Sequence, residues 1–468
     1  MTRVSLFRCR LAHDSIVVDV APRVAQDYEP QNLRISFKRM IRVPDNAEKA
    51  ALPPDIGNFP LFKVSDFASN LPLPMARKGG VFFPMYQREA MWINFSAKRP
   101  FMIKIYAGGV NVVSGEHSVE TEETMRRRRD LAAKKKNTQD YVVVPGQRWL
   151  DGFAVSPGVV RQFVAMPMGS GYSVEAQLTG QEVLGGLQFE ITPSMPVKLH
   201  GPSLSTPFGD FIIVAKTLTG KTIPIACSPA DTIASVKNAF QQAEGIPPDQ
   251  QRLVFGDKLL DNNWTLRDCG VQHNSIVHFV LKLRGGGTID GYKQFMKESM
   301  GIATGGKIKQ VIHNDAIVPT IWAKCSTITI PVHVLTTALF CDATGHSAPP
   351  CPISVSDYAA AGLPFFNLPE TPSGIAGGFE QVKSVGALRV DQGLAHDEEP
   401  DVKPRVVKIP TREKGGGPKN WVDAATIEDP DGLVSRDGPL RAFRTLSILK
   451  EEVKGNGRPA DTGLGRFS

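Results

Sequence analysis

Cys341, His346 and Cys351 place two thiols and an imidazole within one short stretch, the nearest thing in this chain to a metal-ligand cluster. A structural zinc site needs four donors, usually as two close pairs. Here the spacing fits no zinc finger and the fourth donor is missing, so a structural role is expected. Gly169-Ser170-Gly171 offers bare backbone of the kind that cradles phosphate, but the third glycine is absent and no helix is expected after it. Asp151 beside Trp149 pairs a carboxylate with an aromatic face, as in a sugar cleft, although a turn after a strand explains it equally well. No nucleophile, base and orienting group can be assembled from sequence neighbours. The chain therefore reads as a non-enzyme, and an unidentified site in residues 29–200 stays open as an alternative.

A basic run, Arg126–Arg129 and Lys134–Lys136, follows Glu120, Glu122 and Glu123. Acids near the start and bases near the end suit a charged helix between strands. A two-part nuclear-import signal is the second reading. Nucleic-acid contact is disfavoured, because no aromatic side chains interleave with the charges.

Several elements must position these groups. Residues 1–28 are an uninformative extension. Residues 29–200 read as a β-rich, sandwich-like domain of short strands with Gly and Pro turns. Leu33, Ile35 and Phe37 alternate with Arg34, Ser36 and Lys38, the period of a half-buried strand. Phe101–Tyr106 and Val110–Ser114 flank Gly108-Gly109, a hairpin signal. Further strands are expected at Tyr141–Val144, Val160–Met166, Ser173–Thr179 and Leu187–Thr192. A stretch rich in Pro, Ser and Gly follows, Pro193–Gly209, and residues 201–210 are the linker between domains. After residue 286 a mixed α/β region runs to about 380, with a helix expected at Tyr292–Met300 and strands at Lys307–Ile312 and Thr327–Phe340. Residues 349–378 read as irregular. Residues 381–468 read as a largely disordered tail, with one amphipathic helix at 440–454 formed by Phe443, Leu446, Leu449 and Val453.

Between these regions, residues 211–286 form a self-consistent pattern. Ile213–Lys216 and Thr222–Ala226 are strands around the tight turn Leu218-Thr219-Gly220. Asp231 or Thr232 caps a helix whose apolar stripe is Ile233, Val236, Phe240 and Ala243. Gly245 and Pro247-Pro248 stop it, and Arg252–Phe255, Lys258–Leu260 and Ser275–Leu281 supply more strands. A hairpin, a packed helix and further strands make a compact α+β unit.

Three stretches of this unit resemble ubiquitin: Lys216–Thr222, Glu244–Leu253 and Leu281–Gly286. The resemblance is ungapped across 211–286 and implies a β-grasp domain embedded in a longer chain. Carried over residue by residue, it puts an apolar recognition patch on Leu218, Val254, His278 and Val280. It implies partners with ubiquitin-binding domains, including proteasome-linked proteins or a deubiquitinase. Lys221 and Lys258 match lysines that can be modified. Phe211 stands where the family has its initiator methionine, and Cys269 replaces a tyrosine that braces a loop. More weakly, Tyr86–Phe95, Trp149–Gly152, Gly169–Gln177 and Gly305–His313 resemble large, mostly fungal proteins that embed such a domain and have no assigned activity.

Arg284-Gly285-Gly286 resembles the tail through which ubiquitin is conjugated, a chemistry that needs a free terminal carboxylate. Here Gly287-Thr288 and a long chain follow. Either the domain is an integral binding module with a diglycine exit, or a protease cuts after Gly286 and makes a modifier precursor. Lys282, where the family has arginine, weighs against the cut, and the integral module is the working expectation.

Composition agrees. A net charge of +7 over 468 residues is small, and the basic run carries much of it. The six cysteines are scattered without paired spacing, which fits free thiols in a reducing compartment. The most apolar stretch, Ile328–Phe340, is too short for a membrane span and is interrupted by Pro331 and His333. The expectation is a cytoplasmic or nuclear multidomain α+β protein with no cofactor, no membrane and no nucleic-acid partner.

Overall fold

The computed structural model describes residues 7–20, 31–119, 122–134, 136–194, 211–217, 222–244, 248, 251–256, 258–281, 298–317, 321–323, 327–367, 372–394, 404–408 and 446. The chain divides into two units. One holds Met1–Gln188, Asp290–Ala316 and Pro331–Ser468; the other holds Phe189–Ile289 and Ile317–Ile330.

In the larger unit, alternation along Gln31–Met40 creates strand structure, but the wet face predicted for Arg34, Ser36 and Lys38 is only partly wet. Ser36 and Lys38 are buried as thoroughly as Phe37. The Lys38 ammonium is satisfied by Asp55 at 2.6 Å and lies over the Trp92 ring, so a charge can sit inside the sheet. This strand belongs to a sheet whose order among the described residues is Phe7–Leu11, Ile16–Val20, Gln31–Met40, Ala90–Ala97, Val159–Pro167, Met300–Lys309 and Lys49–Ala50. A second sheet runs Val142–Val144, Phe101–Ala107, Leu187–Pro193, Ile328–Thr336, Val81–Met85 and Phe62–Lys63. The Phe37 ring of the first sheet stacks on Phe83 of the second at 4.9 Å.

Both sheets combine strands from before and after residues 211–281. Met300–Lys309 runs antiparallel to Val159–Pro167 along almost its whole length and parallel to Lys49–Ala50. Val332–Thr336 runs parallel to Val81–Met85. Residues 29–200 and 287–380, expected as separate regions, thus share one fold, and its parallel pairings depart from an antiparallel sandwich. Pairing between strands so distant in sequence leaves no local mark.

Local capping overrode strand pattern at two places. Ser173–Thr179, expected as a strand, is the helix Val174–Thr179. The Ser173 hydroxyl accepts from the Ala176 amide at 3.0 Å, and Gly180 closes the helix. The expected strand Thr327–Phe340 ends at Thr336, whose hydroxyl caps the helix Thr337–Thr344. The segment read as irregular contains the helix Val355–Ala360 and the strand Pro364–Asn367. The expected tail contributes the helix Val385–Asp391 and the strand Arg405–Lys408. Within the first of these, the Gly386 amide donates to Asp45 at 2.7 Å. The helix expected at Tyr292–Met300 lies mostly outside the described residues, and Met300 already belongs to a strand. That expected at 440–454 lies outside them except for Leu446, which is helical.

The smaller unit contains β1 (Phe211–Thr217), β2 (Thr222–Cys227), α1 (Ile233–Glu244), β3 (Gln251–Phe255), β4 (Lys258–Leu259) and β5 (Ile276–Leu281). Their order is β2-β1-β5-β3-β4, with β1 and β5 parallel and the other neighbours antiparallel. Alternate residues Ile213, Ala215, Leu253, Val277 and Phe279 face α1, whose stripe of Ile233, Val236 and Phe240 completes the core. Phe240 stacks on Phe279 with centroids 4.0 Å apart. Of the two cap candidates, Thr232 holds the helix: its hydroxyl accepts from the Ser235 amide at 3.2 Å, while Asp231 accepts from Ser228. Thr232→Ala should cost about 1 kcal/mol. Amide hydrogen exchange in the first turn of α1 should quicken about fivefold, the equivalent of that energy.

Candidate protein-recognition face

The side chains of β3 and β5 that do not face α1 point to the other side of the sheet, because successive residues alternate. Val254 lies directly opposite His278, and Arg252 opposite Val280. His278 and Val280 are one pleat apart on β5. Val254, His278 and Val280 are therefore neighbours on one face, and each is half-buried. This face is reached from backbone register alone: any slip by one residue would send all three into the core.

Two apolar residues that the sequence reading missed extend it. Leu259 of β4 pairs with Val254 and is 57% exposed. Ile276 of β5 pairs with Val214 and is 50% exposed. Alternation within Lys258–Leu260 could have shown that Leu259 points away from the buried Leu260. Exposed aliphatics contiguous with a half-buried patch are the usual surface of a protein-binding site. Positive charge rims it. Arg252 and Lys258 are exposed, and Lys216, paired with His278 across the parallel β1–β5 register, lies 3.4 Å from the Glu190 carboxylate. Leu218 and Lys221, together with Arg284, Gly285 and Gly286, lie outside the described residues. Lys258 is exposed beside Phe255, its partner on β3.

Cys269 sits half-buried against the core of this unit, as does Cys227. Burial raises the Cys269 thiol pKa and lifts that of Cys227 to about 11, which keeps both protonated and unreactive at neutral pH.

The remaining sequence candidates find structural employment. Asp151 is fully buried; its Oδ2 accepts from Gln310 Nε2 at 2.7 Å and its amide donates to Gln310 Oε1 at 2.9 Å, a reciprocal strut in place of a cleft. The glycine loop is followed by a helix after all, yet the Gly169 and Gly171 amides donate to the Glu182 carboxylate, which fills the place an anion would take. His346 packs its ring against Phe62 at 5.2 Å, and Cys341 joins an apolar cluster. Among the described residues no group of three or more His, Cys, Asp and Glu side chains is placed to hold a metal ion. The arginine half of the basic run lies in a helix, Glu122–Ala133, as expected, whereas Lys134 and Lys136 fall beyond its end and Lys135 lies outside the described residues. Arg127 and Arg128 bridge to Glu116, and Arg128 also reaches Asp140, so half of the arginine cluster is engaged in anchoring the helix. Among the described residues no helix is long and apolar enough to cross a membrane.

A five-stranded sheet in this order, crossed by one helix and carrying an apolar patch on its far face, defines a ubiquitin-like β-grasp. Residues 212–284 match the ubiquitin family. The ubiquitin-like protein NEDD8 of Dictyostelium discoideum is 44% identical over 75 residues, which span 97% of that protein and 16% of this chain. The NEDD8-like protein RUB1 of Saccharomyces cerevisiae is 41% identical over 75 residues, with the same coverage of each. A phosphatidylinositol 4-kinase gamma 4 of Arabidopsis thaliana is 38% identical over 90 residues, 16% of its length and 19% of this chain. The chain belongs to the ubiquitin family through this domain, carried within a larger protein. The resemblance of the flanking segments to large fungal proteins is taken no further by these matches.

Proposed function

We propose that this chain is a non-enzymatic member of the ubiquitin system that acts through its β-grasp as a protein-recognition module. The partners are proteins with ubiquitin-binding domains, including proteasome-linked receptors, and the reading face is Leu218, Val254, His278 and Val280. One observation carries the proposal: Val254 and His278 are direct cross-strand partners and Val280 follows one pleat on, all opposite the core helix. The free thiols at Cys9, Cys227, Cys269, Cys341 and Cys351 fit work in a reducing compartment, cytoplasm or nucleus.

Val254→Asp tests it. A carboxylate in the centre of an apolar interface would be desolvated without a partner. The full chain should bind members of a panel of ubiquitin-binding domains, and the variant should bind at least about tenfold more weakly, or 1.4 kcal/mol, in calorimetric titration. Circular dichroism would confirm that the variant stays folded. A full chain that ignores the whole panel, or a folded variant that binds as well as the parent, would remove the reading.

A further inference from the structure

We propose that a single backbone cut between Leu281 and Glu298, one after Gly286 included, converts this protein into a tightly held two-chain complex and releases no C-terminal fragment. The inference comes from the larger unit and stands whether or not the recognition face binds as proposed.

Among the described residues, long stretches after the cut are woven into what precedes it. Met300–Lys309 is an interior strand, flanked by Val159–Pro167 on one side and Lys49–Ala50 on the other. Ile302, Ala303, Thr304 and Ile308 are buried there. The approach is close enough that a Cβ on Gly306 would fall 2.4 Å from the Pro44 carbonyl oxygen. Beyond the strand, side-chain bonds continue the attachment. Gln310 is locked to Asp151, and Gln147 bonds the Val311 carbonyl and the His313 amide. Gln139 bonds the His313 carbonyl and the Asp315 amide, and the Tyr141 hydroxyl meets Asp315 at 2.8 Å. Val332–Thr336 adds a second strand, on Val81 through Met85. Farther on, Gln177 clasps both backbone groups of Lys383. These are the contacts of one core distributed over two stretches of chain, the arrangement of an obligate interface.

The consequence bears on the diglycine. Hydrolysis of the Gly286–Gly287 peptide bond consumes one water and leaves a carboxylate on Gly286 and an amine on Gly287. In a chain built as separate domains, that product would be a ubiquitin-tailed fragment and a departing remainder. In this fold the new carboxylate ends a β-grasp that still belongs to the whole protein, and any target joined through it would receive the entire assembly.

The experiment is made on the full chain with a site-specific protease sequence inserted after Gly286. After complete cutting, size-exclusion chromatography at about 1 µM and native mass spectrometry should show one species with the mass of the parent plus one water. The two fragments should part only in denaturant. Fragments that resolve from each other in native buffer would overturn the proposal. A second variant, Gly306→Trp, tests the stated cause. With its strand pushed from Pro44, the cut chain should dissociate at least tenfold more readily than the parent, whereas the uncut chain stays tethered. Cut Gly306→Trp that holds together as well as the cut parent would also overturn it. Should the uncut Gly306→Trp chain fail to fold, Gly305→Ala, whose Cβ would meet Val164 Cγ2 at 2.6 Å, gives the same comparison with less displacement.

Discussion

Glu89→Ala is expected to destabilise the larger unit by about 3–5 kcal/mol, read from urea unfolding midpoints at pH 8. The Glu89 carboxylate accepts from the Arg39 guanidinium and from the Tyr86 amide at 2.8 Å. Arg39 in turn donates to the Pro350 carbonyl at 2.6 Å, so three distant stretches of chain meet at one buried pair. Both side chains are almost wholly removed from water. Deleting the carboxylate would strand a guanidinium that cannot lose its proton.

The same residue gives stability a pH dependence. Burial pushes the Glu89 carboxyl up from 4.5 to about 7, a push that the Arg39 charge and the Tyr86 amide only partly offset. The folded protein therefore holds a proton that the unfolded chain has already released. The stability contributed by this group is fully present below about pH 4.5 and is lost as pH rises through about 7. Glu89→Gln, which keeps the shape and cannot ionise, should flatten that part of the stability curve. A parent curve that does not fall across this window would contradict the assignment.

Gly152→Ala should be nearly as damaging, at about 3 kcal/mol or more. The residue lies opposite Gln162 in the pairing of Gly152–Ser156 with Val159–Pro167. A Cβ there would fall 1.7 Å from the Arg161 carbonyl oxygen and 2.4 Å from its carbon. Backbone atoms of a central strand cannot swing aside as a flexible side chain would, so the strand pair must separate. The damage would spread to Asp151, whose carbonyl accepts from the Phe163 amide and whose carboxylate holds Gln310. Thermal unfolding followed by circular dichroism would show a large drop in midpoint. A change within about 1 kcal/mol of the parent would mean that the strands relax in a way this packing does not allow.

These two residues mark where sequence reading runs out. Glu89 carries no sign of its partner, because Arg39 lies in another strand and the pair forms only when the sheet does. Gly152 looks like any strand glycine until Arg161 is placed over it. Lys38 reads as a surface charge in an alternating strand, and only Asp55 and Trp92 make it a core residue. Ser173 was legible in principle: a serine before Val174 and Glu175, with Gly180 behind, is a helix with both caps written out. Only Val174 and Thr179 of the stretch are β-branched, and Glu175, Ala176, Gln177 and Leu178 between them all favour helix.

The β-grasp could be read almost completely from residues 211–286, and the alternation of β3 and β5 places Val254, His278 and Val280 on one face of its sheet. Its strands alternate, its helix has a 3.6-residue stripe and its cap stands at the right place. These signals are local, and they survive because a small two-layer unit has one face to bury per element. Leu259 and Ile276 joined the face only through register, which pairs them with Val254 and Val214. The sequence by itself thus determined that a ubiquitin-like domain is present. Tertiary structure alone decided that residues on either side of that domain build the same two sheets. Hydrogen bonding between strands depends on backbone groups that every residue possesses, so which distant strands pair is settled by packing and leaves no pattern in sequence neighbours.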